Sequence, residues 1–246
     1  MRVFFNIGRY FILMRKVFSK PEKGKVYFNQ TLKEIYSLGI SSLGIVIIIS
    51  FFIGAVITVQ TAINTTSPFI PKFLIGLMVR DSLLLEFSST IVCLILAGKV
   101  GSNIASEIGT MQVTEQIDAL ETMGINSASY LILPKIIASV FINPFLVIIS
   151  MFIGISGGLL AAIYTEVITS QQYISGIQFF FNPYYVTYSL IKTVVFAFII
   201  SSVSSYQGYY TEGGALEVGK SSTKAVVYSS VLILLFNMIL TDLLLT

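Results

Sequence analysis

The sequence predicts an all-α membrane protein with five transmembrane helices and an amphipathic helix at its N-terminus. Of its 246 residues, 55% are hydrophobic and only 11% are charged, whereas soluble domains carry about 25% charged residues. Five apolar segments approach or exceed the roughly 20 residues that a helix needs to cross the hydrocarbon core. A soluble core in a chain of this length could not hide so much apolar surface. We therefore expect lipid to be the solvent for much of the chain.

Residues 1–18 mix aromatic and aliphatic side chains with arginine and lysine, and the segment is too short and too charged to span. We expect a helix that lies flat on the cytoplasmic interface, with its basic residues at anionic headgroups. Four apolar residues would enter the acyl boundary: Phe4, Phe5, Phe11 and Ile12. A disordered basic tail is the alternative. Residues 19–34 are polar and are interpreted as a connector, so that 1–34 precede a five-span domain at 35–246.

The predicted spans, in chain order, are 38–62, 83–100, 133–164, 186–205 and 225–245. A turn containing Pro68 and Pro71 follows the first span. The second span continues into a more polar helix and a hydrophilic stretch at 102–129. Residues 165–185 are predicted to form a loop before the fourth span, and a short glycine-rich loop ending at residue 222 precedes the fifth.

The orientation follows from the distribution of lysine and arginine. Eight of these residues precede the first span, and four more fall in loops that share its side of the membrane: Lys99, Lys135, Lys220 and Lys224. The opposite loops hold only Lys72, with Arg80 near that edge. Twelve basic residues against one or two predict a cytoplasmic N-terminus.

A stripe of small residues marks the helix that continues from the second span. Its members recur every four residues: Ala97, Gly101, Ala105 and Gly109. Such a stripe lets another helix approach closely, which is how membrane helices pack without a hydrophobic driving force. Packing within the chain and contact with another subunit are both open alternatives.

Residues 113–124 are predicted to form a short helix on the cytoplasmic side. Thr114 can cap its start, and three residues in the first turn suit the helix dipole: Glu115, Gln116 and Asp118. An apolar edge follows at three-residue spacing, Ile117, Leu120 and Met123, and Gly124 suits the C-terminal stop. We interpret this helix as a docking element for a soluble partner. An amphipathic surface helix without a partner is the alternative.

Residues 97–134, AGKVGSNIASEIGTMQVTEQIDALETMGINSASYLILP, resemble the signature of the MlaE-type permease family. These permeases are the membrane subunits of lipid ABC transporters that work with MCE-domain proteins. Further similarity begins at Ile191 (IKTVVFAFI) and at Ser205 (SYQGYYTEGGALEVGKSSTKAVVYSS). From about residue 30 onward, the order of elements agrees with the family.

The resemblance implies a permease subunit of an ATP-driven phospholipid transporter in the bacterial inner membrane. A plastid envelope is a less favoured location. The partners implied are a second copy of the chain, an ABC ATPase, a ring of MCE-domain subunits and phospholipid. ATP and magnesium would bind to the ATPase, so the chain would be a non-catalytic subunit with no cofactor of its own.

By the same resemblance, the segment at about 110–126 looks like a shortened relative of the coupling loop of ABC importers. The coupling residues it implies are Glu115, Gln116, Asp118, Leu120, Glu121 and Gly124. ATP binding would pull the coupling helices of two copies together and reshape the lipid cavity.

Charges within membrane spans are costly and are therefore candidates for function. Glu86 and Lys192 fall in the second and fourth spans, and Gln60 lies near the outer end of the first. By the resemblance to the MlaE-type family, these three residues and Asn237 are candidates for a polar site at the lipid-binding interface, where Lys192 would attract phosphate headgroups. A structural ion pair between Glu86 and Lys192 is the alternative.

The chain departs from the family pattern near these candidates. Leu85 stands where the family has arginine before the glutamate, and Ser89 stands where it has proline. Asn237 occupies a position that is usually acidic, although Asp242 follows a little more than a turn later. These changes weaken the transfer of a polar pocket from the family to this chain.

Residues 214–221, GALEVGKS, match the phosphate-loop pattern GxxxxGK[ST]. A phosphate loop needs a buried strand before it and a helix after it, whereas this segment joins two predicted spans. We expect a tight cytoplasmic turn in which the glycines adopt special backbone angles and Lys220 and Lys224 reach headgroups.

Composition argues against several other functions. The chain has no histidine, and its only cysteine, Cys93, lies in an apolar run, which leaves no zinc site and no Ser-His or Cys-His pair. A net charge of +3 is too small to indicate nucleic-acid binding. Basic residues interrupt the N-terminal apolar patch, so no cleavable signal peptide is predicted.

An ion-coupled secondary transporter that uses Glu86 or Lys192 is the rival hypothesis. A membrane-embedded enzyme is a third possibility, but the sequence lacks candidate catalytic groups for it.

Overall fold

A computed structural model describes residues 2–19, 24–65 and 71–245 of the chain. Within these residues the fold is all-helical and contains no strand. The α-helices are α1 (Arg2–Val17), α2 (Gly24–Glu34), α3 (Ser41–Asn64), α4 (Phe73–Ser82), α5 (Val92–Leu96), α6 (Ser102–Val113), α7 (Gln116–Thr122), α8 (Ser127–Thr165), α9 (Ser170–Gln178), α10 (Tyr184–Tyr209) and α11 (Ala215–Leu245). Pro68, predicted to lie in a turn, falls outside the described residues.

Three π-helical segments join some of these helices end to end: Ile35–Ile40, Leu83–Ile91 and Ala97–Gly101. As a result, five continuous helices in the described part of the chain are long and apolar enough to cross a membrane. They are Tyr27–Asn64, Phe73–Val113, Ser127–Thr165, Tyr184–Tyr209 and Ala215–Leu245, called the first to fifth spans below. The predicted fold class and the five apolar helices are confirmed.

The chain divides into two compact units, and each span contributes residues to both. Unit 1 comprises Met1–Ser42, Leu94–Asn143 and Val195–Ile239. Unit 2 comprises Leu43–Cys93, Pro144–Val194 and Leu240–Thr246. The four lysines that were predicted to share the side of the N-terminus all belong to unit 1, and Lys72 and Arg80 belong to unit 2.

The N-terminal part of unit 1 contains the predicted amphipathic helix as α1. Its apolar residues Leu13, Met14 and Val17 are buried against the unit. Phe4, Phe5, Phe11 and Ile12 are exposed, with Phe4 at 81%, as expected of residues that face a bilayer. The predicted connector is itself partly helical, because α2 runs through Gly24–Glu34 and continues into the first span.

The helix α2 was missed because its residues are mostly polar, and the contact of Tyr27 that holds it in place is not apparent from the sequence. Tyr27 is buried, and its hydroxyl lies 2.7 Å from the Ser129 hydroxyl near the start of α8. A hydrogen bond between side chains 102 positions apart cannot be read from local composition.

In unit 2, the first and third spans approach closely at glycines. A Cβ atom built on Gly54 would lie 1.8 Å from the carbonyl oxygen of Gly154, and one on Gly157 would lie 2.3 Å from that of Phe51. Ser50 donates to the Ser150 hydroxyl at 2.8 Å beside this contact. Only glycine permits two helix backbones to come this near.

The predicted loop at 165–185 contains the helix α9, which packs on α4 in unit 2. Thr169 caps α9 by accepting a hydrogen bond from the Gln172 backbone N–H, and the Gln172 side chain accepts in return from Thr169 N–H. This capping box was present in the sequence as TSQQ and could have predicted the helix. Gly76 and Gly176 form the closest part of the contact between the two helices.

Arg80 fastens the end of α9 to α4. Its guanidinium is almost fully buried and donates to the carbonyl oxygens of Ile177 and Phe179, each at 2.7 Å, and it also pairs with Asp81 at 2.7 Å. The burial of this arginine is therefore accounted for by hydrogen bonds and an ion pair.

Candidate functional site

The segment between the second and third spans forms a separate short helix, as predicted, but begins differently. Glu115 adopts a left-handed conformation (φ 60°) between α6 and α7. The Thr114 hydroxyl does not cap α7; it donates to the Thr110 carbonyl oxygen at 2.8 Å. The predicted cap is therefore wrong, because α6 extends to Val113 and leaves Thr114 in its own last turn.

The end of α7 agrees with the prediction for Gly124. This glycine has φ +78°, which L residues with a side chain rarely adopt. Its N–H donates to Glu121 O at 2.9 Å, and Ile125 N–H donates to Leu120 O at 3.0 Å. Together these bonds form a Schellman motif that fixes the direction of the chain after α7.

One face of α7 is open to solvent. Glu115, Gln116 and Asp118 are exposed, and Leu120 is half-buried. The predicted apolar edge is split, because Ile117 is buried whereas Met123 is 73% exposed. The helix therefore presents two carboxylates and a methionine on its open side, a surface that a soluble partner could contact.

Glu121 differs from the other predicted coupling residues because its carboxylate bonds within the chain. One oxygen, Oε1, accepts from Lys16 Nζ at 2.7 Å, from Ser127 Oγ at 2.8 Å and from the Tyr209 hydroxyl at 3.1 Å. The hydrogen bond from Lys16, followed by that from Ser127, lowers the pKa of Glu121 below its usual range. The hydrogen bond to Glu121 raises the pKa of Lys16. All four residues belong to unit 1.

A second polar cluster lies in unit 2 and contains two of the predicted pocket residues. Lys192 Nζ donates to Glu86 Oε1 at 2.9 Å and to the Tyr188 hydroxyl at 3.0 Å. The Tyr188 hydroxyl also lies 2.9 Å from Thr241 Oγ1 on α11. Lys192 is fully buried, whereas the Glu86 side chain is 40% exposed. Three spans therefore meet at one buried ammonium group.

The backbone around Glu86 is π-helical from Leu83 to Ile91. Such segments widen the helix by one residue per turn and are common at functional sites. Here Lys192 Nζ also approaches the Leu85 carbonyl oxygen, at 3.4 Å, so the lysine contacts both the backbone and the side chain of the widened segment. These contacts favour the structural ion pair over a lysine that is open to a headgroup.

The other two pocket candidates are placed differently. Gln60 is exposed and lines an open apolar groove on α3 with Val56, Val59 and Ile63. Asn237 is half-buried on α11, one helical turn before Thr241. Sequence reasoning missed Tyr188 and Thr241, although each lies four residues from a candidate (Lys192 and Asn237) and so shares its helix face.

The small-residue stripe packs within unit 1. A Cβ on Gly101 would lie 2.8 Å from Ser204 Oγ, and one on Gly208 would lie 2.7 Å from the Ala105 carbonyl oxygen. Gly109 faces Thr211 and Val218, and Ala97 is fully buried. These contacts favour packing against the fourth span of the same chain over the alternative of a subunit contact.

Unit 1 also contains an ion cluster around a buried lysine, which the sequence did not reveal. Lys135, on α8, is 2% exposed, and its Nζ lies 2.7 Å from both Glu34 Oε1 and Glu107 Oε2. The three charges fix the junction of the first span, α6 and the third span. Lys135 was assigned to a cytoplasmic loop, but the helix α8 begins eight residues before it, at Ser127.

The phosphate-loop pattern at 214–221 falls on a helix. The helix α11 begins at Ala215, and Lys220 pairs with Glu217 on its surface at 2.5 Å. The residues before it form the end of α10 and a short connection rather than a strand. A phosphate-binding loop is therefore rejected, as predicted, while the expected turn is shorter because only residues 210–214 are non-helical.

The sequence matches the family described as Permease MlaE over residues 31–243. It is 39% identical over 238 residues to a Rickettsia bellii protein named "Probable ABC transporter permease protein", a match that covers 97% of this chain and 92% of the relative. The similarly named slr1045 of Synechocystis is 35% identical over 236 residues, covering 94% and 87%. The chloroplastic TRIGALACTOSYLDIACYLGLYCEROL 1 of Arabidopsis thaliana is 33% identical over 231 residues, covering 94% and 66%. The matched family region contains α7 and all four residues of the polar cluster around Lys192.

Proposed function

Because the chain belongs to the MlaE permease family and its relatives are named ABC transporter permeases, we propose that it is the permease subunit of an ATP-driven phospholipid transporter. A separate ATPase supplies the energy, and this chain supplies the path for the lipid and the surface that the ATPase contacts. The chain itself performs no covalent chemistry and holds no ATP or magnesium.

The observation that carries this proposal is the exposed helix α7 between two apolar spans. Its free face carries Glu115, Gln116 and Asp118, and its ends are fixed by a left-handed residue and a Schellman motif. A short, rigidly ended helix is suited to transmit force from a soluble partner. Leu120 and Gly124 complete the proposed coupling segment. Glu121 belongs to this segment as well, but its carboxylate bonds within the chain.

Several features support a lipid as the cargo. The Arabidopsis relative is named after a diacylglycerol lipid. The described residues also carry large exposed apolar groups on the open groove of α3 beside Gln60. We propose that acyl chains contact this groove. Glu86 and Lys192 hold the second and fourth spans together, with Lys192 bound by Glu86 rather than by a headgroup.

The remaining partners are proposed on the same basis. The helix α11 leaves Val231, Leu234 and Met238 exposed along one side, and a second copy of the chain would cover such a face in a homodimer. We place the dimer in a bacterial inner membrane with its N-terminus in the cytoplasm, because the lysine-rich unit 1 contains both the N-terminal helix and α7. MCE-domain subunits would receive the lipid on the other side.

Purification in mild detergent tests this proposal. The chain, expressed with the genes of its own operon or genome, should retain an ABC ATPase and bound phospholipid, both identified by mass spectrometry. Substituting Asp118→Lys on the open face should reduce the retained ATPase, whereas Glu217→Lys on the surface of α11 should not. Retention of neither ATPase nor phospholipid by the native chain would contradict the proposal, and so would equal retention by both variants.

A further inference from the structure

The carboxylate of Glu121 joins four elements at a single oxygen. Its three donors come from α1 (Lys16), from the start of α8 (Ser127) and from the end of α10 (Tyr209). Ser127 Oγ and the Tyr209 hydroxyl also lie 2.9 Å apart, so these two donors are close to each other as well as to the carboxylate. Hydrogen bonds to an ionised carboxylate are stronger than neutral ones.

The helix α1 is held to the same region by further contacts. Asn126 Nδ2 donates to the carbonyl oxygens of Lys16 and Ser19, at 2.9 and 2.8 Å. Tyr10 donates to Ser202 Oγ at 2.9 Å, and the guanidinium of Arg9 lies 3.9 Å from the ring centre of Tyr210. Two basic residues that were expected at headgroups, Arg9 and Lys16, therefore bind within unit 1 instead.

These contacts distinguish Glu121 from the other acidic residues of α7. Its side chain is 44% exposed, as Glu115, Gln116 and Asp118 are also exposed, but its Oε1 already accepts three hydrogen bonds within the chain. A partner that docks on the open face would not need Glu121. If α7 is displaced, however, either the hydrogen bonds to the Glu121 carboxylate must break, or α1 and the end of α10 must move together with α7.

We propose that Glu121 is a positioning residue that transmits movement of α7 to α1 and α10, with Lys16 as its main partner. The inference rests on the proposed function, since it assumes that an ATPase docks on α7. Glu121 does not contact the ATPase. It joins the docking helix both to the span that carries Lys192 and to the amphipathic helix on the membrane surface.

Charge exchange between Lys16 and Glu121 tests this assignment. The native complex is reconstituted with its ATPase in vesicles of its own phospholipids, and three quantities are measured: ATPase retained, ATP hydrolysed and lipid moved. Glu121→Gln, Lys16→Met and Lys16→Glu should each retain the ATPase but lower the lipid moved per ATP by about tenfold. The double variant Lys16→Glu/Glu121→Lys should recover to within about threefold of the native ratio.

The surface pair Lys220–Glu217 supplies a matched control, since Lys220→Glu removes an exposed ion pair without reaching α7, and its ratio should stay native. Should Glu121→Gln not fold, Lys16→Met tests the same ion pair from the other partner.

Loss of the ATPase from Glu121→Gln would overturn this inference but not the proposed function, because Glu121 would then be a docking contact. An unchanged ratio in the single variants, or a double variant no better than they are, would overturn it too. A native chain that retains no ATPase would overturn the proposed function and this inference with it.

Discussion

At the scale of single residues, the ion pair between Lys192 and Glu86 is asymmetric. The lysine is fully buried and the carboxylate is not, so removal of the two partners has different consequences. Glu86→Gln leaves an uncompensated buried ammonium group and should destabilise the protein by about 3 kcal/mol. Lys192→Met leaves a carboxylate with partial access to solvent and should cost less, and the double variant should recover most of the loss.

Thermal unfolding in detergent measures this effect, and Lys72→Met provides the control because Lys72 is exposed. Equal losses for Glu86→Gln and Lys192→Met, without recovery in the double variant, would contradict the ion-pair interpretation. Loss of lipid transport in Lys192→Met with unchanged stability would instead restore a direct role for this lysine with headgroups.

The pair between Lys16 and Glu121 gives a prediction for pH. The pKa of Glu121 is lowered from 4.5, with the hydrogen bond from Lys16 as the main cause, so its contribution to stability is present above 4.5 and is lost as pH falls through the lowered pKa. The pKa of Lys16 is raised from 10.5, chiefly by the hydrogen bond to Glu121, so its contribution is present below 10.5 and is lost only above the raised pKa.

The coupling between the two residues should therefore be constant at neutral pH and should decline as pH falls below 4.5. A double-mutant cycle of unfolding with Lys16→Met and Glu121→Gln measures it. A coupling that disappears near neutral pH would show that the two side chains do not form this pair.

At the scale of elements, the contact between the first and third spans depends on glycine. Gly54→Ala would place a methyl group 1.8 Å from a backbone oxygen, which neither helix can relieve by a rotamer change. We expect a loss of about 2 kcal/mol or more, from overpacking. Gly44→Ala, on the same helix α3, is the matched control because no atom lies within 4 Å of the added carbon. Equal melting temperatures of the two variants would refute this close contact.

The five transmembrane helices were predicted from the sequence, whereas the short helices α2 and α9, which depend on particular side-chain contacts, were missed. Five apolar runs are visible in composition because each must satisfy its backbone inside a bilayer. The helices α2 and α9 are short and polar, and each depends on one buried tyrosine, Tyr27 and Tyr173. Only the capping box of α9 was visible in advance. The Lys135 cluster with Glu34 and Glu107 could not be predicted, since its members come from three separate helices.

The candidate sites show the same division. A short helix was predicted at 113–124, and the structure has the shorter helix α7 within that segment, followed by Gly124. Which of its carboxylates bonds within the chain was not predictable, because Glu115, Asp118 and Glu121 look alike in the sequence, and only Glu121 is surrounded by Lys16, Ser127 and Tyr209. Likewise Glu86 and Lys192 were found as charges in apolar runs, whereas Tyr188 and Thr241 were recognised only once the helices were packed.

For the molecule as a whole, the proposed function requires that α7 and the N-terminal helix lie on the cytoplasmic side. All described basic residues predicted for that side belong to unit 1. Lys72 lies in a loop that the distribution of lysine and arginine assigns to the opposite side. Cysteines introduced at positions 118 and 72 can therefore report on the two sides of the membrane in the same protein. The native thiol, which is itself buried, is first removed by Cys93→Ser.

The most direct measurement is the reaction of Asp118→Cys with a membrane-impermeant maleimide, compared between intact spheroplasts and inverted vesicles. We expect labelling only in inverted vesicles, protection when the ATPase is bound, and the opposite sidedness for Lys72→Cys. Labelling of Asp118→Cys in intact spheroplasts would contradict the proposed function, because an ATPase in the cytoplasm could not then reach α7.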